Sequence, residues 1–397
     1  MAAVTIVVLP RERFSRTEVS LQALYDHTAP PFELVYVDGH SPRRVRRYLQ
    51  KQAQAKGFRL IRTPYFMPLS RLRNLGLREV KTPYVVFLEN DVIVRPGWLQ
   101  ALQSCAEETG APVVGPLYLE HAGGRELVHM AGGIARVTEV EGGRRFFEEH
   151  RFQGRNLSEV AHALHREPTE MVEFHCVLIR TEVLRELGGF DEGMKNTADH
   201  IDFCLSVREA GYPIYFEPRS AVVFVQPPPF TWSDLRFYYM RWNDTWARQT
   251  VAHFSRKWRL DPHDPFLRYK HEWTKRRRRQ ILNYFFTLGP LPRLRRRLAY
   301  RVVTPTVRRV SRQGSSSPED VKILFVTDHT YPPHRVGGAE SSTHELALTL
   351  KEKGIDVAVL ATMPVAPLRA VPRRLARRAP GYFATTCRRN DGVPGIP

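Results

Sequence analysis

Two acidic residues follow an apolar segment at a place where a divalent cation could bind. The apolar run Tyr84–Leu88 is followed by Glu89 and, two positions later, by Asp91. The run predicts a buried strand, and in a parallel α/β sheet ligands bind beyond the carboxyl ends of the strands. Two carboxylates one residue apart suit a hard divalent cation that is also bound by phosphate oxygens. A polar turn after a buried strand would look the same, so the motif alone leaves both interpretations open.

Asp199 and His200 form a second pair with suitable chemistry, ahead of a helical pattern that runs to Ala210. An imidazole deprotonates a hydroxyl group near neutral pH, and a neighbouring aspartate could do the same or orient the ring. Asp199 would also serve as the N-cap of the helix. Either residue is therefore chemically able to act as a general base, and the residue types alone do not decide between them. Lone residues in apolar runs, such as His175, are expected to be core packing.

Alternating strands and helices must position these side chains. Helical patterns of about a dozen residues separate short apolar runs, which predicts an α/β fold with a mostly parallel sheet covered by helices. The predicted strands are Val4–Leu9, Glu33–Val37, Phe58–Arg62, Tyr84–Leu88, Pro112–Leu117, Val172–Ile179, Ile214–Phe216 and Ala221–Val225. Residues 118–170 contain three Gly-Gly pairs and are predicted to be an insertion rich in hairpins.

The basic character of the chain is concentrated in one segment. The 397 residues carry a net charge of +19, but residues 261–316 alone hold 15 Lys and Arg against 3 Asp and Glu. We interpret this segment as a solvated linker, with contact to anionic lipid as an alternative. Nucleic-acid binding is disfavoured because no recognised module accompanies the charge. Four cysteines without paired spacing, no signal-peptide pattern and no membrane-length apolar run favour a cytoplasmic protein.

Three parts are predicted along the chain: an α/β domain over residues 1–260, a basic linker or helical segment over 261–320, and a small partial Rossmann-like α/β piece over 321–397. The last part begins with the strand Ile323–Thr327. A glycine loop at Gly337 and Gly338, a helix around Ser342–Lys353 and the strand Val357–Leu360 follow it.

Residues 3–225 or so resemble glycosyltransferase family 2. Six segments occur in the order and spacing of that family: Val4–Leu9, Val37–Ser41, Arg73–Gly76, Tyr84–Asp91, Gly188–Glu192 and Asp199–Cys204. The resemblance implies a GT-A fold that binds a nucleotide diphosphate sugar. It also implies that Asp38 contacts the nucleotide base and that Arg73 and Asn74 flank the donor diphosphate. Glu89 and Asp91 match the acidic pair of the family, with Asp91 as the main ligand of Mg²⁺ or Mn²⁺.

On the acceptor side, the resemblance implies that Gly189 and Asp191 line the acceptor site. The sequence departs from the family at two places. The usual second acid of the later acidic motif, generally taken as the base, is replaced by His200 beside Asp199. The histidine that many relatives place after the last strand is missing from Phe224–Gln226. The metal site is therefore expected to be weaker than usual, or completed by water.

The C-terminal piece resembles the first strand, glycine loop and first helix of family 4 glycosyltransferases, which have the GT-B fold. About 77 residues remain after Val321, too few for the two domains that such an enzyme needs. No catalysis is assigned to this piece.

Together these features predict an inverting, metal-dependent glycosyltransferase acting in polysaccharide or glycoconjugate assembly. Its expected partners are a nucleotide diphosphate sugar, a glycan or lipid-linked acceptor, and an anionic membrane surface touched peripherally. A degenerate, non-catalytic sugar- or nucleotide-binding domain is the alternative, motivated by the two departures. A sugar-1-phosphate nucleotidyltransferase and a dinucleotide-dependent dehydrogenase are disfavoured, because Pro10–Arg13 has no glycine where both need a glycine-rich turn.

Overall fold

The computed structural model describes residues 4–122, 124–226, 229–288, 322–330, 349, 356–362 and 382–386. The chain divides into two compact units, Met1–Arg296 and Arg297–Pro397. No helix among the described residues is long and apolar enough to cross a membrane.

The first unit contains twelve strands and ten α-helices within its described residues. The strands are β1 (Val4–Leu9), β2 (Glu33–Asp38), β3 (Arg59–Arg62), β4 (Tyr84–Glu89), β5 (Val92–Val94), β6 (Val113–Ala122), β7 (Arg125–Met130), β8 (Gly133–Val140), β9 (Gly143–His150), β10 (Glu167–Thr169), β11 (Cys176–Arg180) and β12 (Ile214–Phe224). The helices are α1 (Thr17–His27), α2 (Arg43–Lys56), α3 (Leu69–Leu77), α4 (Trp98–Thr109), α5 (Leu157–Val160), α6 (Thr181–Glu186), α7 (Asp199–Glu209), α8 (Trp232–Arg241), α9 (Asp244–Trp258) and α10 (Pro265–Asn283). A π-helical turn, Tyr284–Leu288, follows α10.

Half of the main sheet is parallel, in the order β4-β1-β2-β3. Every residue of β1 and β4 is buried, as expected for strands covered on both faces. The carboxyl ends of these strands lie at one edge of the sheet. The segment after β1, Asp38 and Glu89 therefore lie along the same edge. Helix α3 approaches β1 closely, since a Cβ atom on Gly76 would lie 2.3 Å from Val7 Cγ1. The predicted α/β fold is confirmed here.

The other half of the sheet contains antiparallel pairs. Strand β11 lies antiparallel between β4 and β6, with Cys176 opposite Leu88. The amino end of β11 therefore meets the carboxyl end of β4, and the Glu89 amide donates to the His175 carbonyl at 3.1 Å. Strand β12 runs parallel to β6, and it is one irregular strand where two were predicted. The predicted hairpins are present, because β6 pairs with β7 and β8 pairs with β9.

Helices α8, α9 and α10 close the first unit. The Arg277 guanidinium on α10 is buried and donates to both carboxylate oxygens of Glu12, at 2.6 and 2.5 Å. The sequence predicts that this domain ends at residue 260 and that a basic linker or helical segment occupies residues 261–320. The compact unit instead continues to Arg296, because α10 packs against its neighbours and inserts one of its arginines into the interior. In the π-helical turn that follows α10, Phe285 is buried and Phe286 is exposed.

The segment before α1 is held by a contact to a distant helix and not by a local side-chain cap. Residues Phe14–Arg16 form a 3₁₀ turn, and α1 begins at Thr17 without a side-chain cap. The Ser15 amide donates to Asp234 of α8 at 2.8 Å, so a long-range contact replaces the local one.

The second unit contains three described strands, β13 (Lys322–Thr330), β14 (Asp356–Thr362) and β15 (Tyr382–Thr386). Strands β13 and β14 are parallel and confirm the two predicted strands, while β15 adds an antiparallel strand that the sequence did not suggest. The predicted glycine loop at Gly337 and Gly338 lies outside the described residues, as does nearly all of the predicted helix.

Candidate active site

Glu89, the last residue of β4, is the centre of a buried ionic network. Its Oε2 atom accepts from Arg11 Nε at 2.9 Å and from His175 Nδ1 at 2.7 Å, and its Oε1 accepts from Arg73 at 3.3 Å. Burial is the largest influence and raises the pKa of Glu89 to about 7, although Arg11 and Arg73 oppose it. Both carboxylate oxygens of Glu89 are thus already engaged by protein groups.

Asp91 has the opposite environment. Its side chain is completely buried, and neither carboxylate oxygen has a hydrogen-bond partner among the described residues. The nearest cation is Arg13, whose Nε lies 4.0 Å from Oδ2. Burial is again the main cause that raises the pKa of Asp91 to about 7. An unsatisfied buried carboxylate is costly, so this residue fits a divalent cation, which binds carboxylate oxygens readily.

Arg73 connects Glu89 to Asp199. Its guanidinium donates to Asp199 Oδ2 at 2.6 Å and lies over the Phe174 ring at 4.1 Å. Burial would raise the pKa of Asp199, but Arg73 and His200 more than offset it, so the pKa lies well below its ordinary value. Asp199 is the first residue of α7 and not its N-cap, a position taken by Ala198. Asp199 is therefore held ionised by Arg73, which weakens it as a base.

His200 lies beside this pair on the first turn of α7. Its Nδ1 is 3.7 Å from Asp199 Oδ1, and its Nε2 is 3.5 Å from Glu173 Oε1. The two carboxylates thus flank the ring on its two nitrogen atoms. The His200 nitrogens are thus farther from their partners than Asp199 Oδ2 is from Arg73, so His200 is the freer of the two candidate bases.

A cavity of about 640 Å³ opens in front of these residues. Arg73, Glu89, Asp199 and His200 line it, so four of the residues singled out from the sequence share one cavity. Its wall also contains cationic and aromatic side chains that the sequence analysis did not select: Arg11, Arg241, Lys270, Phe174, Trp242, Phe266, Tyr269 and Trp273. Acidic residues line it as well, among them Glu148, Glu149 and Glu173, so the wall combines charges of both signs with aromatic faces.

Arg241, at the end of α8, is the cation of this cavity with the least compensation. The residue is 5% exposed, and its Nε and Nη1 atoms have no hydrogen-bond partner among the described residues. Burial lowers the pKa of Arg241, partly offset by Glu12 and Asp199. An unsatisfied guanidinium at a cavity wall favours an anionic ligand, because phosphate oxygens accept hydrogen bonds from arginine well. No motif surrounds Arg241, so the sequence contains no signal for it.

The remaining predicted residues lie elsewhere. Asp38 is buried at the end of β2, where it pairs with Arg62 and accepts from the Ser41 amide at 2.8 Å. Asn74 bonds both backbone groups of Phe190, at 2.8 and 2.9 Å. Neither residue lines the large cavity, and neither does Asp91.

Gly189 and Asp191 line a second cavity of about 240 Å³. Asp191 is paired there with His253 at 2.9 Å and with Lys257 at 3.1 Å. The predicted acceptor-side residues are thus assigned to a different cavity from the predicted base.

His175 is the clearest residue that the sequence analysis underestimated. It is buried as expected, but it bonds Glu89, and its ring stacks on Phe224 with centroids 4.2 Å apart. His175 lies next to Glu89 because β11 runs antiparallel to β4. An apolar run in the sequence does not indicate the direction of its strand in the sheet, so this contact could not be predicted.

Part of the chain is similar in sequence to known proteins. Residues 5–188 match the model of the glycosyl transferase family 2. A pre-mycofactocin glycosyltransferase of Mycobacterium tuberculosis is 27% identical over 150 residues, which are 38% of this chain and 28% of the relative. The O-antigen biosynthesis protein RfbC of Myxococcus xanthus is 26% identical over 228 residues, 55% of this chain and 17% of the relative. The chain thus matches less than a third of the length of these relatives.

Among solved structures, GalNAc-T7 with UDP, GalNAc and Mn²⁺ aligns with 73% of this chain and 58% of its own, at 16% identity and a TM-score of 0.48. A mannosyltransferase from Pyrobaculum calidifontis with GDP-Man and Mn²⁺ aligns with 77% of this chain and 80% of its own, at 18% identity and a TM-score of 0.44. Residues 5–188, slightly less than half of the chain, thus carry the similarity to the glycosyl transferase family 2.

Proposed function

We propose that the first unit is an inverting glycosyltransferase of the GT-A type, which moves a sugar from a nucleotide diphosphate sugar to a hydroxyl acceptor. The observation that carries this proposal is the buried, uncompensated guanidinium of Arg241 in a cavity that also contains Arg11 and Arg73. Arg11 and Arg73 are already paired with Glu89 and Asp199, so the charge of Arg241 is the one that favours an anionic ligand such as a diphosphate. The family match and the similarity to a pre-mycofactocin glycosyltransferase support glycosyl transfer, and the similarity to an O-antigen biosynthesis protein supports a role in glycan assembly.

In this proposal Asp38 contacts the nucleotide base. Arg73 and Asn74 flank the diphosphate, either by direct contact or by positioning the residues to which they are hydrogen-bonded. Asp91 would bind Mg²⁺ or Mn²⁺, which neutralises charge on the departing diphosphate. Glu89 assists by fixing Arg11 and Arg73, since its own oxygens are occupied.

For the acceptor, His200 removes the hydroxyl proton as the nucleophilic oxygen attacks the anomeric carbon from the side opposite the leaving group. Asp199 orients the His200 ring and Arg73. Gly189 and Asp191 belong to the acceptor side through the second cavity. The acceptor is a glycan or a lipid-linked sugar, and the setting is polysaccharide or glycoconjugate assembly.

The test is a screen of nucleotide sugars with Mg²⁺ or Mn²⁺, in which released nucleotide diphosphate is measured with and without candidate glycan acceptors. Metal-dependent release supports the enzyme, and NMR of the product shows whether the anomeric configuration has inverted. Nucleotide binding without release or transfer by any donor–acceptor pair would instead support a degenerate binding domain.

Replacing Arg241 by methionine is expected to weaken nucleotide diphosphate binding by about 10-fold or more. A hydrogen bond to a charged group is worth about 1.5–3 kcal/mol, and each 1.4 kcal/mol is tenfold in affinity. Titration calorimetry with the diphosphate of the active donor measures the effect. Arg236→Met, an exposed arginine on the same helix, is the matched control. Equal affinity in the Arg241 variant and wild type would contradict the placement of the diphosphate.

Replacing His200 by alanine is expected to lower kcat by about 100-fold or more, which is the usual contribution of a general base. Binding of the nucleotide diphosphate should stay unchanged, because the proposed donor contacts are made by other residues. Steady-state transfer and calorimetry on the same preparation separate the two quantities. A His200→Ala enzyme with wild-type kcat would remove His200 from the mechanism and return the assignment to Asp199.

A further inference from the structure

Four histidines surround Glu173 at one wall of the large cavity: His129, His150, His175 and His200. Glu173 Oε1 is 3.5 Å from His200 Nε2 and 4.0 Å from His150 Nε2. The rings of His129 and His175 meet edge to face, with centroids 5.3 Å apart. A carboxylate thus lies among several imidazole nitrogens.

The His175 ring is oriented as metal-binding histidines usually are. Its Nδ1 bonds Glu89 Oε2 at 2.7 Å, and the Phe224 ring stacked on it restrains its rotation. Its Nε2 is buried and has no hydrogen-bond partner among the described residues. Since Nδ1 donates to the carboxylate, Nε2 presents a lone pair. Histidines that bind metals typically donate their other N–H to a carboxylate or carbonyl in this way.

We propose that His129, Glu173 and His175 form a binding site for a divalent transition metal, with Zn²⁺ as the best-fitting ion, separate from the Asp91 carboxylate. Their ligand atoms all lie within 4.8 Å of one another. Zinc binds such atoms at about 2.0–2.2 Å, which puts tetrahedral ligands roughly 3.4 Å apart, so movements of about 1 Å suffice. Two imidazoles and one carboxylate form a known zinc ligand set with a fourth position for water or substrate.

The surroundings of the ligands support this choice. His129 Nδ1 is 3.7 Å from Glu120 Oε2, a buried oxygen without a hydrogen-bond partner among the described residues. In each of the two histidines of the proposed site, the Nδ1 atom therefore lies near a carboxylate. His129 and Glu173 line the large cavity, so the fourth metal position faces it. Arg11 is nearby, but its charge is matched by Glu89 at 2.9 Å.

A neighbouring trio, Glu148, His150 and His200, has ligand atoms within the same 4.8 Å limit. Lys270 Nζ is 3.1 Å from Glu148, and His150 Nε2 is also 3.1 Å from it. A metal ion on this trio would meet an ammonium group that already neutralises its carboxylate. No lysine of the described residues forms an ion pair with His129, Glu173 or His175, and for this reason the first trio is preferred.

Zinc titration of the chelator-stripped full chain tests the site, using a competing chromogenic chelator as the readout. We expect one equivalent of Zn²⁺ in wild type and in Asp91→Asn, and an affinity lower by at least about 100-fold in His129→Ala, His175→Ala and Glu173→Gln. His165→Ala is the matched control, because that side chain is 71% exposed and outside the cluster. Co²⁺ in place of Zn²⁺ gives a visible absorption spectrum that reports four-coordinate nitrogen and oxygen ligands.

Glu173→Gln keeps the shape of the side chain, so it remains informative if a histidine variant fails to fold, which circular dichroism reveals. Absence of stoichiometric zinc binding in wild type would overturn the proposal. So would zinc binding that survives all three substitutions but is lost in Glu148→Gln or His150→Ala, which would place the ion on the neighbouring trio. Loss of zinc binding in Asp91→Asn would show a single shared metal site. None of these results depends on glycosyl transfer.

Discussion

Replacing Asp91 by asparagine is expected to reduce metal-dependent transfer by about 1,000-fold while leaving the metal-free protein at least as stable as wild type. A metal ion that stabilises a departing diphosphate contributes several kcal/mol, and each 1.36 kcal/mol is tenfold in rate. Stability responds differently, because both oxygens of this buried carboxylate lack a hydrogen-bond partner among the described residues. Burial outweighs the nearby Arg11 and Arg13 and raises the pKa of Asp91 to about 7, so removing this charge relieves a desolvation cost.

Three measurements separate these effects: transfer rate, thermal unfolding in a chelator, and thermal unfolding with added Mg²⁺. Mg²⁺ prefers oxygen ligands, so it reports on Asp91 and avoids the histidine cluster. We expect Mg²⁺ to raise the Tm of wild type and not that of Asp91→Asn. Asp26→Asn, an exposed aspartate on α1, should match wild type in all three. Full metal-dependent activity in Asp91→Asn would show that another group binds the catalytic metal.

Replacing Glu12 by glutamine is expected to destabilise the first unit by about 3–5 kcal/mol. Glu12 is completely buried and accepts two hydrogen bonds from Arg277, which would be left as an uncompensated buried charge. Breaking a buried ion pair by removing one partner typically costs this amount, whereas replacing both partners costs much less. The double variant Glu12→Gln with Arg277→Met is therefore expected to lose less unfolding free energy than the two single variants lose together. Chemical denaturation measures all three.

The same pair predicts a loss of stability in acid. Burial would raise the pKa of Glu12, but Arg277 and Arg11 more than offset it and lower the pKa from 4.5 to about 2. A lowered pKa in the folded state adds stability that is present above pH 4.5 and is lost as the pH falls to about 2. The shift corresponds to about 3 kcal/mol. The Glu12→Gln variant should lose this part of the acid dependence.

The exposed ion pair Glu272–Lys275, which lies on α10 like Arg277, is the control for the denaturation experiment and for its acid dependence. Neutralising Glu272 should leave stability unchanged, because solvent screens an exposed ion pair. A Glu12 variant as stable as this control would contradict the inclusion of α10 in the first unit.

Local patterns in the sequence were sufficient for the elements that carry the acidic pair. The apolar runs at Val4–Leu9 and Tyr84–Leu88 are fully buried strands in the structure, and Glu89 ends the second of them. Burial on both faces selects apolar residues at consecutive positions, so such a strand is visible without knowledge of its partners. The resemblance to family 2 implied that Arg73, Glu89, Asp199 and His200 belong to one site, and all four line one cavity.

Other parts of the site were decided by tertiary structure alone. The direction of β11 brings His175 to Glu89, and α8 carries Arg241 into a cavity whose acidic residues lie far away in sequence. Arg277 belongs to a run of basic residues that predicts a solvated helix, yet its partner is 265 positions away. The physical reason is the same in each case. Hydrophobic periodicity reports whether a residue is buried, whereas the partner that satisfies a buried charge is chosen by long-range packing, which leaves no periodic signal in the chain.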